Sequence, residues 1–248
     1  MKGQLAIVKV TLRQLLGGRR MIILGLLAMI PAIVVWLSTR NLTGSAMFDR
    51  YNDGAVPTLF LIVVPISAIV LGSAALGDER RDGTLSFLIV RPLRRSSITA
   101  AKLLAAWTAA TAVTILSGVL ASAALSVRSS DWSTLIPTVV GIAISTACYA
   151  SVFMVVGHLT SRAVLIGLVY VFVWESGISF AAPSLANVSL FRIGLTAYTG
   201  LLPDSRSALS DPLGSLAPGA GGAIAKTALL GILAVTVAAG LLKRRDIA

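Results

Sequence analysis

Charged side chains are concentrated in one short polar stretch that separates two long apolar segments. It reads GDERRDGTLSFLIVRPLRR over residues 77–95 and holds five arginines and three acids. Within it, Leu85, Phe87 and Leu88 form an apolar group that charged residues surround. Apolar anchors with a charged rim are typical of a surface that docks a soluble protein partner. The chemistry that these residue types support is therefore noncovalent recognition.

Capping signals predict two short helices in this stretch, joined at Gly83. The preceding apolar helix is expected to end at Gly77, where two acids follow. Thr84 is a good N-cap for the second short helix, and Pro92 disfavours helical geometry in the residue before it. The serines at 96–97 can cap the next apolar helix. A plain cytoplasmic loop would explain the arginines, but not the acids or the capping pattern.

One acid, Glu175, lies about 18 Å into an apolar segment at a rise of 1.5 Å per residue. An ionisable group at that depth is costly and indicates a functional residue with an inward-facing partner. Arg192, in the amphipathic segment that follows, is the first candidate partner. Two roles stay open for Glu175: a structural ion pair, or a direct part in gating or translocation.

Signatures of enzymes and metal sites are sparse. The chain has one histidine, His158, and one cysteine, Cys148, which excludes a metal site of the usual His and Cys kind. The apolar segments hold no paired histidines, Ser–His pair or two-carboxylate group, so no catalytic residue is assigned. No G-x-x-x-x-G-K-S/T phosphate loop occurs, and we expect the chain itself to bind no cofactor.

Composition defines the elements that carry these residues. Of 248 residues, 56% are hydrophobic and 12% are charged, and the mean hydropathy is +0.89. A soluble domain could not bury so much apolar surface, so we predict an all-α integral membrane protein with six transmembrane helices. Small-xxx-small pairs at 118–122 and 141–145 predict close helix packing. The six apolar segments long enough to cross a bilayer are 21–38, 55–77, 99–127, 133–157, 163–183 and 223–242.

Basic residues orient these segments. Fifteen Lys and Arg residues fall on the side that holds both termini and the polar stretch, and six fall on the other side. Under the positive-inside rule, both termini and the polar stretch are cytoplasmic. The net charge of +11 therefore follows the membrane, and we expect no nucleic-acid partner.

Two further segments have an amphipathic pattern. Residues 4–16 place leucines on one helical stripe, with Lys9 and Arg13 along its edge. This suits a helix lying in the lipid headgroup plane, and the alternative is a cytoplasmic helix packed on the rest of the protein. Residues 188–201 predict a short interfacial helix on the outer side, followed by a loose linker.

The polar stretch and the start of the next segment, GDERRDGTLSFLIVRPLRRSSITAAK, resemble part of the type 2 ABC transporter (ABC-2) permeases. The family pattern contains Gly-x-Glu-Arg, Gly-Thr-Leu, a further Leu, Pro-x-x-Arg and a Lys at the start of the next helix. The matching positions here are Gly77, Glu79, Arg80, Gly83, Thr84, Leu85, Leu88, Pro92, Arg95 and Lys102. The basic N-terminal helix, LVYVFVWE in the fifth span and LFRIGL in the last outer segment also look like the small six-span bacterial and archaeal branch.

The resemblance implies the permease subunit of an ABC exporter in the cytoplasmic (inner) membrane. It would pair with a second copy, as a homodimer, and with cytosolic ABC ATPase subunits that bind ATP and Mg²⁺, and it would contact membrane lipids. Leu85, Phe87 and Leu88 would lie on coupling helices and enter a groove of the ATPase. Rim salt bridges would come from Glu79, Arg80, Arg94 and Arg95.

The predicted domain organisation is a single transmembrane domain, 1–248. Its parts are the elbow helix 1–20, spans one and two 21–77, the coupling region 78–98, spans three to five 99–183, the outer loop 184–222, and span six with a basic tail 223–248. Two other classes stay open. One is an ion- or proton-coupled secondary transporter centred on Glu175, and the other is a membrane scaffold that recruits a soluble partner.

Overall fold

The computed structural model describes residues 2–83, 94–178, 189–203 and 219–244, and every regular element in these ranges is a helix. This confirms the all-α class. The α-helices are α1 (Lys2–Leu15), α2 (Arg19–Ser38), α3 (Ser45–Arg50), α4 (Val64–Arg81), α5 (Arg95–Ser129), α6 (Leu135–Leu159), α7 (Ala163–Val169), α8 (Leu190–Thr199) and α9 (Gly219–Arg244). The π-helical segments are Tyr51–Ala55, Thr58–Val63 and Tyr170–Ile178.

Five helical stretches among the described residues are long and apolar enough to cross a membrane. They are Arg19–Ser38, Ser45–Arg81, Arg95–Ser129, Leu135–Leu159 and Gly219–Lys243. At the position of the predicted fifth span, 163–183, the described residues form a shorter apolar helix, Ala163–Gly177. Five of the six predicted spans are thus found as long helices, and the count of six stays a prediction.

Two of these stretches are longer than hydropathy predicted. Ser45–Arg81 has 37 residues and Arg95–Ser129 has 35, so each is about 50 to 55 Å long at 1.5 Å per residue. The hydrocarbon core of a bilayer is only about 30 Å thick. Both stretches must therefore extend beyond the hydrocarbon core. The parts that extend beyond it include charged residues.

The boundaries of the polar stretch differ from the prediction. α4 continues to Arg81 rather than ending at Gly77, and the Asp82 N–H still donates to the Asp78 carbonyl oxygen at 2.9 Å. The first predicted short helix is therefore the last turn of α4. Gly83 follows with a φ of 68°, a left-handed conformation that glycine adopts without a Cβ clash.

The start of α5 also differs from the prediction. The helix begins at Arg95, and Arg94 precedes it in extended backbone without a side-chain cap. The predicted caps at 96–97 lie inside the first turn instead. The other predicted coupling residues lie outside the described residues: Thr84, Leu85, Phe87, Leu88 and Pro92.

Among the described helices, the most extensive contact joins α4 and α6, where glycines bring two backbones together. A Cβ atom placed at Gly157 would lie 2.2 Å from the Ser73 carbonyl oxygen, and one at Gly77 would lie 3.0 Å from the Gly157 carbonyl oxygen. Small residues allow this close approach where lipid supplies no hydrophobic drive for helix association. Because backbone atoms rather than flexible side chains fill the space, α4 and α6 are in direct backbone contact and leave no room for a larger residue.

Both predicted small-xxx-small pairs lie at close helix contacts, which confirms that prediction. A Cβ atom at Gly118 of α5 would lie 2.8 Å from the Cγ2 of Thr138 in α6. In the second pair, Ser145 of α6 faces Gly194 of α8, where an added Cβ would lie 2.5 Å from the serine Cβ. Small residues therefore set the spacing of α5, α6 and α8.

The predicted interfacial helix at 188–201 is found as α8, but it is buried. Nearly all of its residues are inaccessible, and it packs on α6 and α9. The Tyr198 hydroxyl of this helix donates to Asn52 Oδ1 inside the protein at 3.1 Å. The amphipathic pattern therefore reflects packing on other helices, and the position of α8 at the outer membrane interface stays a prediction.

The N-terminal helix α1 packs on the protein. It contacts α5 and α4 and buries Thr11 and Leu15, while Leu5 remains 67% exposed. Lys9 and Arg13 are also exposed. The helix therefore packs on the rest of the protein, and its place in the lipid headgroup plane stays a prediction.

Candidate functional site

The last turn of α4 carries four consecutive charged residues, of which Asp78 is the first. Its Oδ2 accepts a hydrogen bond from Arg20 Nη1 of α2 at 2.9 Å, and its Oδ1 pairs with Arg81 in the same turn. The two cations are 36% and 55% exposed. Exposed ion pairs contribute about 0 to 1 kcal/mol, so these contacts orient the turn more than they stabilise it.

Glu79, the second charged residue, points inward. Its Oε1 forms an ion pair with Lys102 Nζ of α5, and the same ammonium donates to Thr11 Oγ1 of α1 at 3.4 Å. The side chains are 12% exposed for Glu79 and 1% for Lys102. Removing both charges from water costs several kcal/mol per ion, which their attraction must offset. The pair therefore fixes how α1, α4 and α5 meet and makes the loss of either partner costly.

Arg80 joins the same turn to α6. Its Nη1 donates to the main-chain oxygen of His158 at 2.9 Å, one residue before α6 ends. The last carbonyls of a helix lack intrahelical donors and carry the negative end of its dipole, so a guanidinium is a favourable partner. We name these contacts the bracing cluster, whose members are Thr11, Arg20, Asp78, Glu79, Arg80, Lys102 and the His158 carbonyl.

A second polar site surrounds Glu175, which is fully buried. Its Oε1 accepts hydrogen bonds from the Tyr170 hydroxyl at 2.6 Å and from the main-chain N–H groups of Leu190 at 2.8 Å and Phe191 at 3.3 Å. Its Oε2 accepts a hydrogen bond from the Ser189 hydroxyl. The carboxylate thus satisfies main-chain donors at the start of α8 that have no intrahelical acceptor.

A carboxylate at this position also complements the positive end of the α8 dipole. Glu175 lies in the π-helical segment Tyr170–Ile178, so it fixes the N-terminus of α8 to the predicted fifth span. Arg192 reaches the same place through its backbone, because its N–H donates to Ser189 Oγ at 3.1 Å and completes the N-cap of α8. The site is built to hold two segments together.

Comparison with known families agrees with this architecture. A family model described as ABC-2 family transporter protein matches residues 5–220, which is most of the chain. The chain belongs to the ABC-2 transporter family. No curated protein sequence matches it.

Membership confirms the resemblance that the polar stretch indicated. Together with the five long apolar helices, it identifies a multi-pass membrane component of an ABC-2 transporter. Of the family-pattern residues that the structure describes, Glu79 and Lys102 are in direct contact. Glu79 therefore points into the helix bundle of this chain, and its place on the docking rim, which the resemblance implied, stays a prediction. Arg80 likewise donates inward, to α6.

Sequence reasoning missed several members of both sites in this transporter. The Glu79–Lys102 pair was not predicted, although both positions matched the family pattern. Around Glu175, the missed partners are Tyr170 and Ser189. A signal existed for each, because Ser189 precedes a helix as a good N-cap residue and Tyr170 lies five positions before Glu175, the spacing that a π-helix brings onto one face.

Proposed function

We propose that this ABC-2 transporter chain is the permease subunit of an ATP-driven exporter in the cytoplasmic membrane. It works as a homodimer with cytosolic ATPase subunits, which bind the ATP and Mg²⁺. The observation that carries this proposal is the bracing cluster, because it ties the turn that enters the coupling region to α1, α2, α5 and α6. A segment that receives force from a partner needs such a rigid base.

The coupling region docks the ATPase. The last described residue before its middle part, Gly83, and the first one after it, Arg94, are both exposed. This supports a segment that leaves and re-enters the helix bundle at its surface. Leu85, Phe87 and Leu88 are the apolar anchors that enter the groove of the partner. Arg94 and Arg95 contribute rim salt bridges, whereas Glu79 and Arg80 act as internal braces.

Motion passes from the coupling region to the outer side through packed helices. ATP-driven closure of the ATPase pair pushes the last turn of α4, and α6 moves with it because the Gly157 contact leaves no space for sliding. α6 in turn holds α8 through the contact of Ser145 with Gly194. The push on the cytoplasmic side therefore displaces α8 on the opposite side of the membrane.

Glu175 gives α8 its attachment to the fifth span. Because its carboxylate accepts donors from both segments, α8 cannot move without either carrying the fifth span or breaking buried hydrogen bonds. We assign Glu175 a positioning role in gating, and Arg192 the role of completing the α8 N-cap. Lys9 and Arg13, both exposed on α1, contact anionic lipid headgroups.

The test is a pull-down of the detergent-solubilised full chain from its native host, with mass spectrometry of the proteins that co-purify. Wild type is compared with Leu85→Asp/Leu88→Asp. A matched control, Ser161→Asp/Arg162→Asp, places two aspartates at exposed positions of the other cytoplasmic connection. We expect wild type and control to recover a phosphate-loop ATPase, and the coupling variant to lose it at least about tenfold, because burying an unpaired charge costs more than the 1.4 kcal/mol that a tenfold change represents.

Other results would change the assignment. Recovery of the ATPase by all three proteins would move the docking surface away from the coupling region. Recovery by none, under conditions that preserve complexes, would remove the permease assignment and favour a secondary transporter centred on Glu175. A bound ATPase without ATP-dependent transport in proteoliposomes would favour the scaffold.

A further inference from the structure

A groove lies between α5, α6 and α9. It is open on one side and has a volume of about 330 Å³. At its edge, Ile224 of α9 is 55% exposed among the described residues. Its lining is almost wholly apolar and includes Leu103, Trp107, Ala147, Ile224, Ala228 and Gly231.

The few polar side chains of the groove use their donors within the protein. Trp107 Nε1 donates to the Ala143 carbonyl oxygen at 2.9 Å. The hydroxyl of Ser151 donates to the carbonyl of Ala147 at 2.7 Å, and that of Thr227 donates to its own helix, to Ala223, at 2.8 Å. A ligand in this groove therefore meets no unused donor and needs no polar group to bind.

The depth of the groove identifies the surrounding medium. Ala147 lies about 18 Å along α6 from its start at Leu135, and Gly231 lies about 18 Å along α9 from Gly219, at 1.5 Å per residue. In helices that cross a hydrocarbon core of about 30 Å, both positions are close to the middle of the bilayer. Hydrocarbon chains are the molecules present at that depth.

We propose that this groove binds an acyl chain of a membrane phospholipid. An apolar protein cavity of about 150 Å³ stays dry and takes small hydrocarbons, and the groove has more than twice that volume. The inference is independent of the proposed function, because it depends only on the groove and its depth.

Gly231 provides a variant that fills the groove without disturbing the fold. A Cβ atom added there would meet its nearest neighbours, Ser151 Oγ and Leu103 Cδ2, at 3.8 and 4.0 Å, which is ordinary van der Waals contact. Gly231→Leu therefore places its branched side chain in the groove. Gly240→Leu makes the same change on the same helix at an exposed site with open space around it, and it is the matched control.

The experiment is photolabelling of the full chain in nanodiscs of phosphatidylcholine that carries a diazirine on one acyl chain, with labelled residues mapped by mass spectrometry. In wild type, we expect stronger labelling at Trp107, Ala147 and Ala228 than at Leu116, a 56% exposed residue on the same α5 helix as Trp107. Gly231→Leu should reduce groove labelling about tenfold, the change expected from excluding about two methylene groups. Gly240→Leu should leave it unchanged.

Labelling of the groove no stronger than that of Leu116 in wild type would overturn the proposal. So would labelling that neither Gly231→Leu nor a second filling variant, Ala228→Leu, reduces. If photo-cross-links instead joined groove residues of two copies of the chain, the groove would be part of a subunit contact and not a lipid site.

Discussion

Loss of Lys102 is the sharpest perturbation of the bracing cluster. Lys102→Met removes the ammonium that pairs with Glu79 and donates to Thr11, but it keeps most of the apolar stem. The carboxylate of Glu79 then stays buried without that cation. We expect a large loss of stability, and a smaller loss when both charges are removed together.

The magnitude follows from burial. Removing one partner of a buried ion pair costs about 3 to 5 kcal/mol, and the 12% exposure of Glu79 supports the lower end. Glu79→Gln alone should cost about 2 kcal/mol, because an amide replaces a charged acceptor. The double variant should cost about 2 kcal/mol rather than the sum of about 5 kcal/mol, a coupling of about 3 kcal/mol.

The assay is equilibrium unfolding of the purified chain in mixed detergent micelles, for wild type, both single variants and the double variant. Non-additive changes in the free energy of unfolding across this double-mutant cycle would support the ion pair of Glu79 with Lys102. Additivity within about 0.5 kcal/mol would show that Glu79 and Lys102 do not interact in the folded protein.

Three further predictions concern other contacts. Glu175→Gln should destabilise the start of α8 by about 2 kcal/mol, since charge-assisted hydrogen bonds are lost, and hydrogen exchange of the Leu190 amide should accelerate; unchanged exchange would contradict the capping role. Gly157→Ala should cost about 3 kcal/mol or block folding, because the new methyl group meets backbone atoms. The control Gly25→Ala has open space around it and should be neutral in the same equilibrium unfolding assay. Tyr51→Phe should cost about 1 to 2 kcal/mol through its lost hydrogen bonds, and a neutral effect in that assay would mean that this hydroxyl is not bonded.

Hydropathy located the membrane helices well but not their ends. It detects the part of a helix that lies in hydrocarbon, and α4 and α5 continue past that part. The charges at Asp78 and Glu79 therefore looked like the start of a new element, although backbone hydrogen bonding carries α4 on to Arg81. Polar residues at the end of a span mark where the helix passes from hydrocarbon into a polar medium, and the helix itself continues.

The sequence indicated which residues are important, but it did not indicate which of them contact each other. Glu79 and Lys102 both matched the family pattern, but their contact depends on the rotation of α4 and α5 about their axes. Small residues set that rotation through three-dimensional packing, as at the contact of Gly157 with Ser73, and hydropathy does not encode it.

Glu175 illustrates the same limit at the outer site. Its depth predicted a buried partner, and a cation was the natural expectation for a carboxylate. Among the contacts that the structure describes, hydroxyls and main-chain N–H groups donate to this carboxylate. A helix N-terminus can serve as the positive partner, and α8 is close enough only because the chain folds back on the fifth span.

Site-specific photo-cross-linking can detect docking of the ATPase on the coupling region. A benzophenone amino acid is placed at Phe87, and for comparison at Trp132, which is 53% exposed and lies on the predicted outer side. We expect a covalent adduct between a phosphate-loop ATPase and the chain labelled at Phe87, and none from Trp132. Absence of that adduct at Phe87, with the complex intact, would contradict it.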